Sequence, residues 1–198
     1  VAVIEGDAAV AEAFADLPFD HLLFTGSTQV GRRVMAAAAK HLTPLTLELG
    51  GKSPAIIDER IDMHRAAKSI ATGKLLNCGQ TCTAPDYVMV PKARLQSFVE
   101  AFRDVAKAMY PGIADNPDYT SVVNARHHAR LRSYLDDAAA RGATLVRIFD
   151  EPPGDGRKLA PTLVIEPTED SAIMREEIFG PILIVRGYER LRDAIDDI

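Results

Sequence analysis

Short apolar runs alternate along this chain with segments of helical period, and that alternation constrains the fold more than any other feature. Leu22-Leu23-Phe24, Leu45 to Leu49, Pro54 to Ile57, Tyr87 to Val90, Leu145 to Phe149, Leu163 to Ile165 and Ile182 to Val185 each read as a strand. Helix patterns lie between them. Asp7 is placed to cap a first helix with Val10, Ala13 and Phe14 inward, and Val30, Val34, Ala37 and Ala38 share one face after the turn Gly26-Ser27-Thr28. Asp62 caps another, with Ala66, Ile70, Gly73 and Leu76 on its inner side or end. Lys92 to Met109 carries Leu95, Phe98, Val99, Phe102 and Val105 on one stripe. Asn124 opens a helix that runs through Leu131 and Leu135 to a stop at Gly142. Pro152-Pro153-Gly154-Asp155-Gly156 reads as a surface turn. Strands alternating with helices predict an α/β architecture with largely parallel sheets.

Composition narrows the function classes. A chain of 198 residues fits one large or two small domains, and 47% hydrophobic with 26% charged residues is a globular balance. A net charge of -5, seven Phe, five Tyr and no Trp leave no basic stripe with interleaved aromatics, so nucleic acid is not an expected partner. Two cysteines make no disulfide framework and point to a reducing, cytoplasmic compartment. No apolar run reaches the roughly 18–20 residues of a membrane span. Five acidic residues precede the first basic one, Arg32, so a secretory leader is not expected. The chain opens strand-like at Val1-Ala2-Val3-Ile4 and closes inside the helical pattern Leu191, Ala194, Ile195, Ile198. Both ends are expected to be cuts in something longer.

Four short segments could carry chemistry. Cys82 follows Gly79-Gln80-Thr81 and precedes Ala84-Pro85, and a thiol in such a backbone-rich turn can have its thiolate held by peptide N–H groups, as a nucleophile requires. Taken alone, a buried structural cysteine is the commoner reading. Cys78 lies four residues away, but a zinc site needs further ligands, and His127-His128 sit in a polar, solvated-looking stretch; no metal is expected. Glu48 stands among Leu45, Leu47 and Leu49 before Gly50-Gly51; in apolar surroundings a carboxylate becomes a plausible general base, while on an alternating strand it can equally face solvent. Gly26-Ser27-Thr28-Gln29-Val30-Gly31 joins a strand to a helix N-terminus, where backbone N–H groups can meet a phosphate, although it is neither the three-glycine dinucleotide fingerprint nor a P-loop. Glu177 and Phe179 precede Gly180-Pro181; a carboxylate can hold ribose hydroxyls and a Phe can pack on a ring, or the pair can be a capping acid and a core aromatic.

Together these segments are far more specific than any one of them. Phe24-Thr25-Gly26-Ser27-Thr28, Leu47-Glu48-Leu49-Gly50-Gly51-Lys52-Ser53-Pro54, Gly79-Gln80-Thr81-Cys82 and Glu176-Glu177-Ile178-Phe179-Gly180-Pro181 occur in the order and spacing of the aldehyde dehydrogenase superfamily, which the chain resembles along essentially its whole length. Lys40 to Thr46 and Asn77 to Tyr87 resemble the class 3 branch, which includes fatty, aromatic and coniferyl aldehyde dehydrogenases. The resemblance implies a three-layer αβα fold. Residues 1–50 would be the end of a dinucleotide-binding domain, and residues 51–198 most of a catalytic domain. It implies that Cys82 attacks the aldehyde carbonyl, that hydride passes to NAD or NADP, and that Glu48 activates the water that hydrolyses the thioester. It further implies that Gly26 and Ser27 contact pyrophosphate, Gly31 packs the helix, Leu49 lies beside the nicotinamide, Glu177 holds the nicotinamide ribose and Phe179 adjoins the cofactor. Cys78 matches no catalytic position.

The resemblance also marks departures. Gln29 stands where many relatives carry Glu. Family chains are well over twice this length, so an oxyanion-binding Asn, the residues that select the adenosine ribose, part of the substrate tunnel and the strands of the family's homodimer are expected outside this chain. The parent is therefore expected to oxidise an aromatic or medium-to-long aliphatic aldehyde, and the 198-residue chain by itself is expected to be inactive. Two other readings remain. A dehydrogenase that passes the acyl group to coenzyme A would not need Glu48, and a non-catalytic fragment would expose apolar surface at its cuts.

Overall fold

The computed structural model describes residues 1–149 and 156–198; the turn expected at Pro152 to Asp155 lies outside them. The chain divides into two compact units, Val1–Gly51 and Lys52–Ile198.

The first unit holds α1 (Ala8–Ala15), β1 (Leu22–Gly26), α2 (Thr28–Ala39) and β2 (Leu45–Leu49). Asp7 caps α1 as expected, its carboxylate accepting the N–H groups of Ala9 at 3.0 Å and Val10 at 3.2 Å. β1 and β2 run parallel, with Leu22 opposite Leu45 and Gly26 opposite Leu49. A parallel pair needs a crossover, and α2 supplies it. Gly31, Val34 and Ala38 are its buried face. The expected inward sets need correcting. Val10, Phe14 and Val30 are exposed, and Phe14 instead meets the Phe19 ring at 4.8 Å between centroids. Leu23 is exposed while Leu22 is buried, so β1 is covered on one face only. Val1 to Ile4 forms no strand, because no ladder in this unit pairs with it.

The second unit begins with β3 (Pro54–Ile56), α3 (Met63–Leu75) and a 3₁₀ turn, Leu76–Gly79. Next come β4 (Tyr87–Pro91), a second 3₁₀ turn at Lys92–Arg94, α4 (Leu95–Met109) and α5 (Ala125–Ala140). It ends with β5 (Thr144–Arg147), β6 (Thr162–Ile165), α6 (Ala172–Arg175), β7 (Ile182–Tyr188) and α7 (Leu191–Asp196). Asp62 and Asn124 cap α3 and α5 by accepting from Arg65 and His127. The sheet order is β3-β4-β7-β6-β5, parallel except for the edge strand β5. Both faces are covered by helix, as a parallel sheet requires. Val88 and Val90 of β4 join the main core with Phe98 and Phe102 of α4, while Met89 turns to the other side with Tyr188 and Ala194 of α7. Leu76 is exposed rather than inward, because the helix ends one residue before it.

Candidate functional site

The first unit gathers five of the expected site residues at the carboxyl ends of two parallel strands, where open α/β sheets bind ligands. Thr25 lies opposite Glu48 and Gly26 opposite Leu49. Ser27 caps α2: its Oγ accepts from the Val30 N–H at 3.4 Å, and its carbonyl accepts from Gly31 at 2.9 Å. The first turn of α2 carries no acidic side chain, so nothing in it opposes an anion at the positive end of the helix dipole. A Cβ on Gly31 would stand 2.9 Å from Leu49 Cδ2, so glycine there lets α2 settle on that leucine. Of the two surroundings expected for Glu48, the structure shows the solvent-facing one and not the apolar one. Side chains alternate along a strand, so Leu45, Leu47 and Leu49 are half-buried on one face while Thr46 and Glu48 are exposed on the other.

The second unit gathers Cys82, Glu177 and Phe179 around a tightly wound turn. Asn77, Cys78 and Gly79 have φ of 49°, 58° and 71°, three consecutive left-handed residues. Glycine is required at the third, because a Cβ on Gly79 would lie 2.3 Å from the carbonyl oxygen of Gly180. The turn thereby abuts the segment that carries Glu177 and Phe179. Gln80 braces it: its amide nitrogen donates to the carbonyls of Asn77 and Ser121, both at 3.1 Å, and its oxygen accepts from the Val123 N–H at 2.8 Å. Ala84 N–H closes the next turn on Thr81 O at 3.2 Å, leaving Cys82 exposed at its tip.

The two thiols part company here. Cys78 is fully buried, its Sγ donates to the Tyr119 hydroxyl at 3.7 Å, and that hydroxyl donates to Leu159 O at 2.6 Å. Burial pushes the Cys78 thiol up to about 11. Among the described residues, no group of three or more His, Cys, Asp or Glu could hold a metal ion. His127 and His128 are half-buried rather than solvated, and burial, with Arg130 and Arg126 nearby, lowers the His127 pKa.

Glu177 and Phe179 are half-buried, and Phe179 adopts φ 51°. Their backbone is held from two sides. Asp86, nearly fully buried, accepts from the Ile178 N–H at 3.0 Å and from Lys52 Nζ at 3.2 Å, and Lys52 also donates to Glu176 O at 3.0 Å. Arg130 of α5 donates to the carbonyls of Glu177 at 2.9 Å and Ile178 at 2.7 Å. Lys74 completes the Asp86 cluster. It is wholly buried, 3.6 Å from the Asp86 carboxylate, and its Nζ has no hydrogen-bond partner among the described residues. Burial lowers it to about 8 against the pull of Asp86.

Sequence reasoning assigned no role to Lys52, Lys74, Gln80, Asp86 or Arg130. Lys74 had a signal: it sits on the apolar stripe of Ala67, Ile70 and Ala71. Arg130 had none, because the carbonyls it holds lie 47 and 48 residues further along the chain.

The aldehyde dehydrogenase family matches residues 1–198. A protein named probable coniferyl aldehyde dehydrogenase, from Pseudomonas aeruginosa, is 55% identical over 195 residues, covering 98% of this chain and 40% of its own length. The solved substrate-bound state of AldH from Staphylococcus aureus is similar with a TM-score of 0.89 at 41% identity, over 98% of this chain and 42% of that one. Betaine aldehyde dehydrogenase (betB) from Staphylococcus aureus, in complex with NAD+, is similar with a TM-score of 0.84 at 29% identity, over 98% of this chain and 40% of that one. The chain spans about 40% of the length of the curated relative.

Proposed function

The chain belongs to the aldehyde dehydrogenase family, and from that premise we propose that the full-length protein oxidises an aldehyde to a carboxylic acid on Cys82, with NAD or NADP as electron acceptor. The observation that carries this reading is the contrast between two cysteines four residues apart. Cys82 is exposed on a braced turn, and Cys78 is sealed in the core. Solvent access is what a nucleophile needs and a packing residue does not.

The residues present suit a dinucleotide. Ser27 and the acid-free first turn of α2 would take pyrophosphate, Leu49 would lie beside the nicotinamide, and Glu177 and Phe179 would hold its ribose and ring. The cofactor's nicotinamide supplies the two-electron acceptor for hydride. In the reaction on this chain, the Cys82 thiolate forms a C–S bond to the aldehyde carbon, and peptide N–H groups of the turn steady the oxyanion. Oxidation of that adduct leaves an acyl thioester. Glu48 takes a proton from water, which adds to the acyl carbon; the C–S bond breaks, releasing the acid and the thiolate. An aromatic or medium-to-long aliphatic aldehyde is the proposed substrate, a reading supported by the coniferyl aldehyde dehydrogenase relative. A homodimer working in a reducing cytoplasm completes the proposal.

The test is steady-state assay of the full-length protein with aromatic and medium-chain aldehydes. Dinucleotide reduction should fall by at least ~1000-fold in Cys82→Ala. Glu48→Gln should slow turnover about 100-fold and leave acyl groups on Cys82, visible by mass spectrometry. The product should be the free acid whether or not coenzyme A is present; acyl-CoA would replace hydrolysis with acyl transfer. Turnover that survives Cys82→Ala would overturn the reading.

A further inference from the structure

The segment Glu176 to Ile178 lies between α6 and β7 and belongs to neither. It is followed by Phe179, whose left-handed backbone persists only where the surroundings over-determine it. Four of its backbone groups are tied to side chains from elsewhere: Glu176 O to Lys52, Glu177 O and Ile178 O to Arg130, and Ile178 N–H to Asp86.

Arg130 makes the two-pronged tie. One guanidinium nitrogen donates to Glu177 O and to the Tyr134 hydroxyl at 3.0 Å, and the other donates to Ile178 O. The guanidinium also lies 5.1 Å from the Tyr134 ring centroid, so the same helix holds the fork in place. A planar fork fixes two successive carbonyls in one rigid geometry, whereas a lysine's ammonium would hold them only through rotatable donors on a flexible stem. Leu131, the next residue, meets Gly180: a Cβ there would stand 2.5 Å from Leu131 Cδ1. One turn of α5 therefore sets the peptide planes on which Glu177 and Phe179 are mounted.

We propose that Arg130 is a positioning residue for cofactor binding, its guanidinium fork presenting Glu177 and Phe179 to the nicotinamide half of the dinucleotide. This rests on the reading of Glu177 and Phe179 given above. It places the effect of Arg130 on cofactor affinity and not on the chemistry at Cys82.

The experiment uses the full-length protein and compares wild type with Arg130→Lys and Tyr134→Phe. The readouts are reduced-dinucleotide fluorescence titration, KM and kcat, Cys82 alkylation and thermal unfolding. Arg130→Lys should raise the cofactor Kd and KM about tenfold, with the aldehyde KM and the alkylation rate within about twofold. Tyr134→Phe, which only frees the fork from its hydroxyl, should raise the cofactor KM about two- to threefold. A merely structural role would lower the unfolding temperature and the amount of active enzyme with the cofactor KM unchanged, and that pattern overturns the proposal. If Arg130→Lys fails to fold, Tyr134→Phe decides by the same criterion. A wild type that binds neither dinucleotide overturns the proposed function and this inference with it; a wild type that binds, with variants that bind equally well, overturns this inference alone.

Discussion

Cys78 and Cys82 show how far a single residue type can be read without its neighbours. Glycine, glutamine and threonine before Cys82 are a local signal for a reactive turn. The fate of Cys78 depends on Tyr119 and Leu159, far away in sequence. At pH 8 a thiol raised to about 11 is only about one part in a thousand thiolate, so Cys82 should alkylate in the folded protein while Cys78 stays unlabelled until denaturant is added. Peptide mass spectrometry reads both sites, and equal labelling would show that the turn is not assembled. Lys74 was legible only as an oddity on an apolar stripe, because its meaning comes from Asp86, twelve residues on. An ordinary lysine titrates at 10.5 and Lys74 at about 8 in the fold. Below pH 8 both the folded and unfolded chains carry the proton, and the fold bears the full cost of a buried ammonium. Between 8 and 10.5 the unfolded chain still holds a proton that the fold has released, so this group makes stability rise with pH, by roughly 3 kcal/mol over the window. Cys78 opposes it: above 9.0 the unfolded chain loses a proton that the folded thiol keeps to about 11, so its share of stability falls as pH rises. Urea unfolding of wild type and Lys74→Met should therefore show the difference moving in favour of wild type across that window. A difference that stays flat would mean Lys74 does not titrate there.

At the scale of elements, what was local was legible. Asp7, Asp62 and Asn124 cap the helices they were expected to cap, because a cap needs only the N–H groups two or three residues on. The strands of the second unit and the stripe of α4 also match their periodicity. Inner faces in the first unit were legible only in part: Val34 and Ala38 of α2 are buried as their period predicts, but period alone does not say whether anything lies against Val10 and Phe14 of α1 or against Val30 of α2. Of the two surroundings the sequence left open for Glu48, the strand's period of two selects the solvent face and turns its leucine neighbours the other way. Two glycines separate packing from backbone demand. Gly31→Ala sets a Cβ 2.9 Å from the flexible end of Leu49, which can move. Alanine also gains about 1 kcal/mol of helix propensity, so stability should change by less than about 1 kcal/mol. The cofactor KM should nevertheless rise, since Leu49 is displaced from its proposed place. Gly79→Ala meets the backbone oxygen of Gly180 at 2.3 Å with φ at 71°, and neither can yield cheaply. It should cost at least about 2 kcal/mol and expose Cys78 to alkylation. Chemical denaturation with thiol mapping distinguishes the two, and a benign Gly79→Ala would refute the close approach of the Cys82 turn to Gly180.

At the scale of the molecule, the two units differ in what they bury. The first buries four apolar side chains, Ala15, Leu22, Val34 and Ala38, and its sheet has two strands. A two-stranded parallel sheet with one covered face is marginal on its own, and Val3, Val10, Phe14, Leu17, Leu23, Met35 and Leu42 remain exposed. The second unit has a five-stranded sheet, and Phe98, Phe102, Leu131, Leu163 and Ile173 lie almost wholly out of water. Local opening follows buried apolar contact, so stability should be uneven along the chain. Expressed as these 198 residues, the protein should exchange the amides of β1, α2 and β2 at least ~100-fold faster than those of β4, β6 and β7, by hydrogen exchange and mass spectrometry. The turn at Ser27 would then be populated only part of the time. A site whose competent state is a small fraction binds its ligand weaker by that fraction, so NAD or NADP should leave the exchange of the isolated chain unchanged. In the full-length protein the same cofactor should slow exchange at β1, at the start of α2 and at Glu177 to Phe179. Uniform protection of both units in the isolated chain, with a further slowing on adding NAD, would refute the expectation that this chain alone cannot assemble the cofactor site.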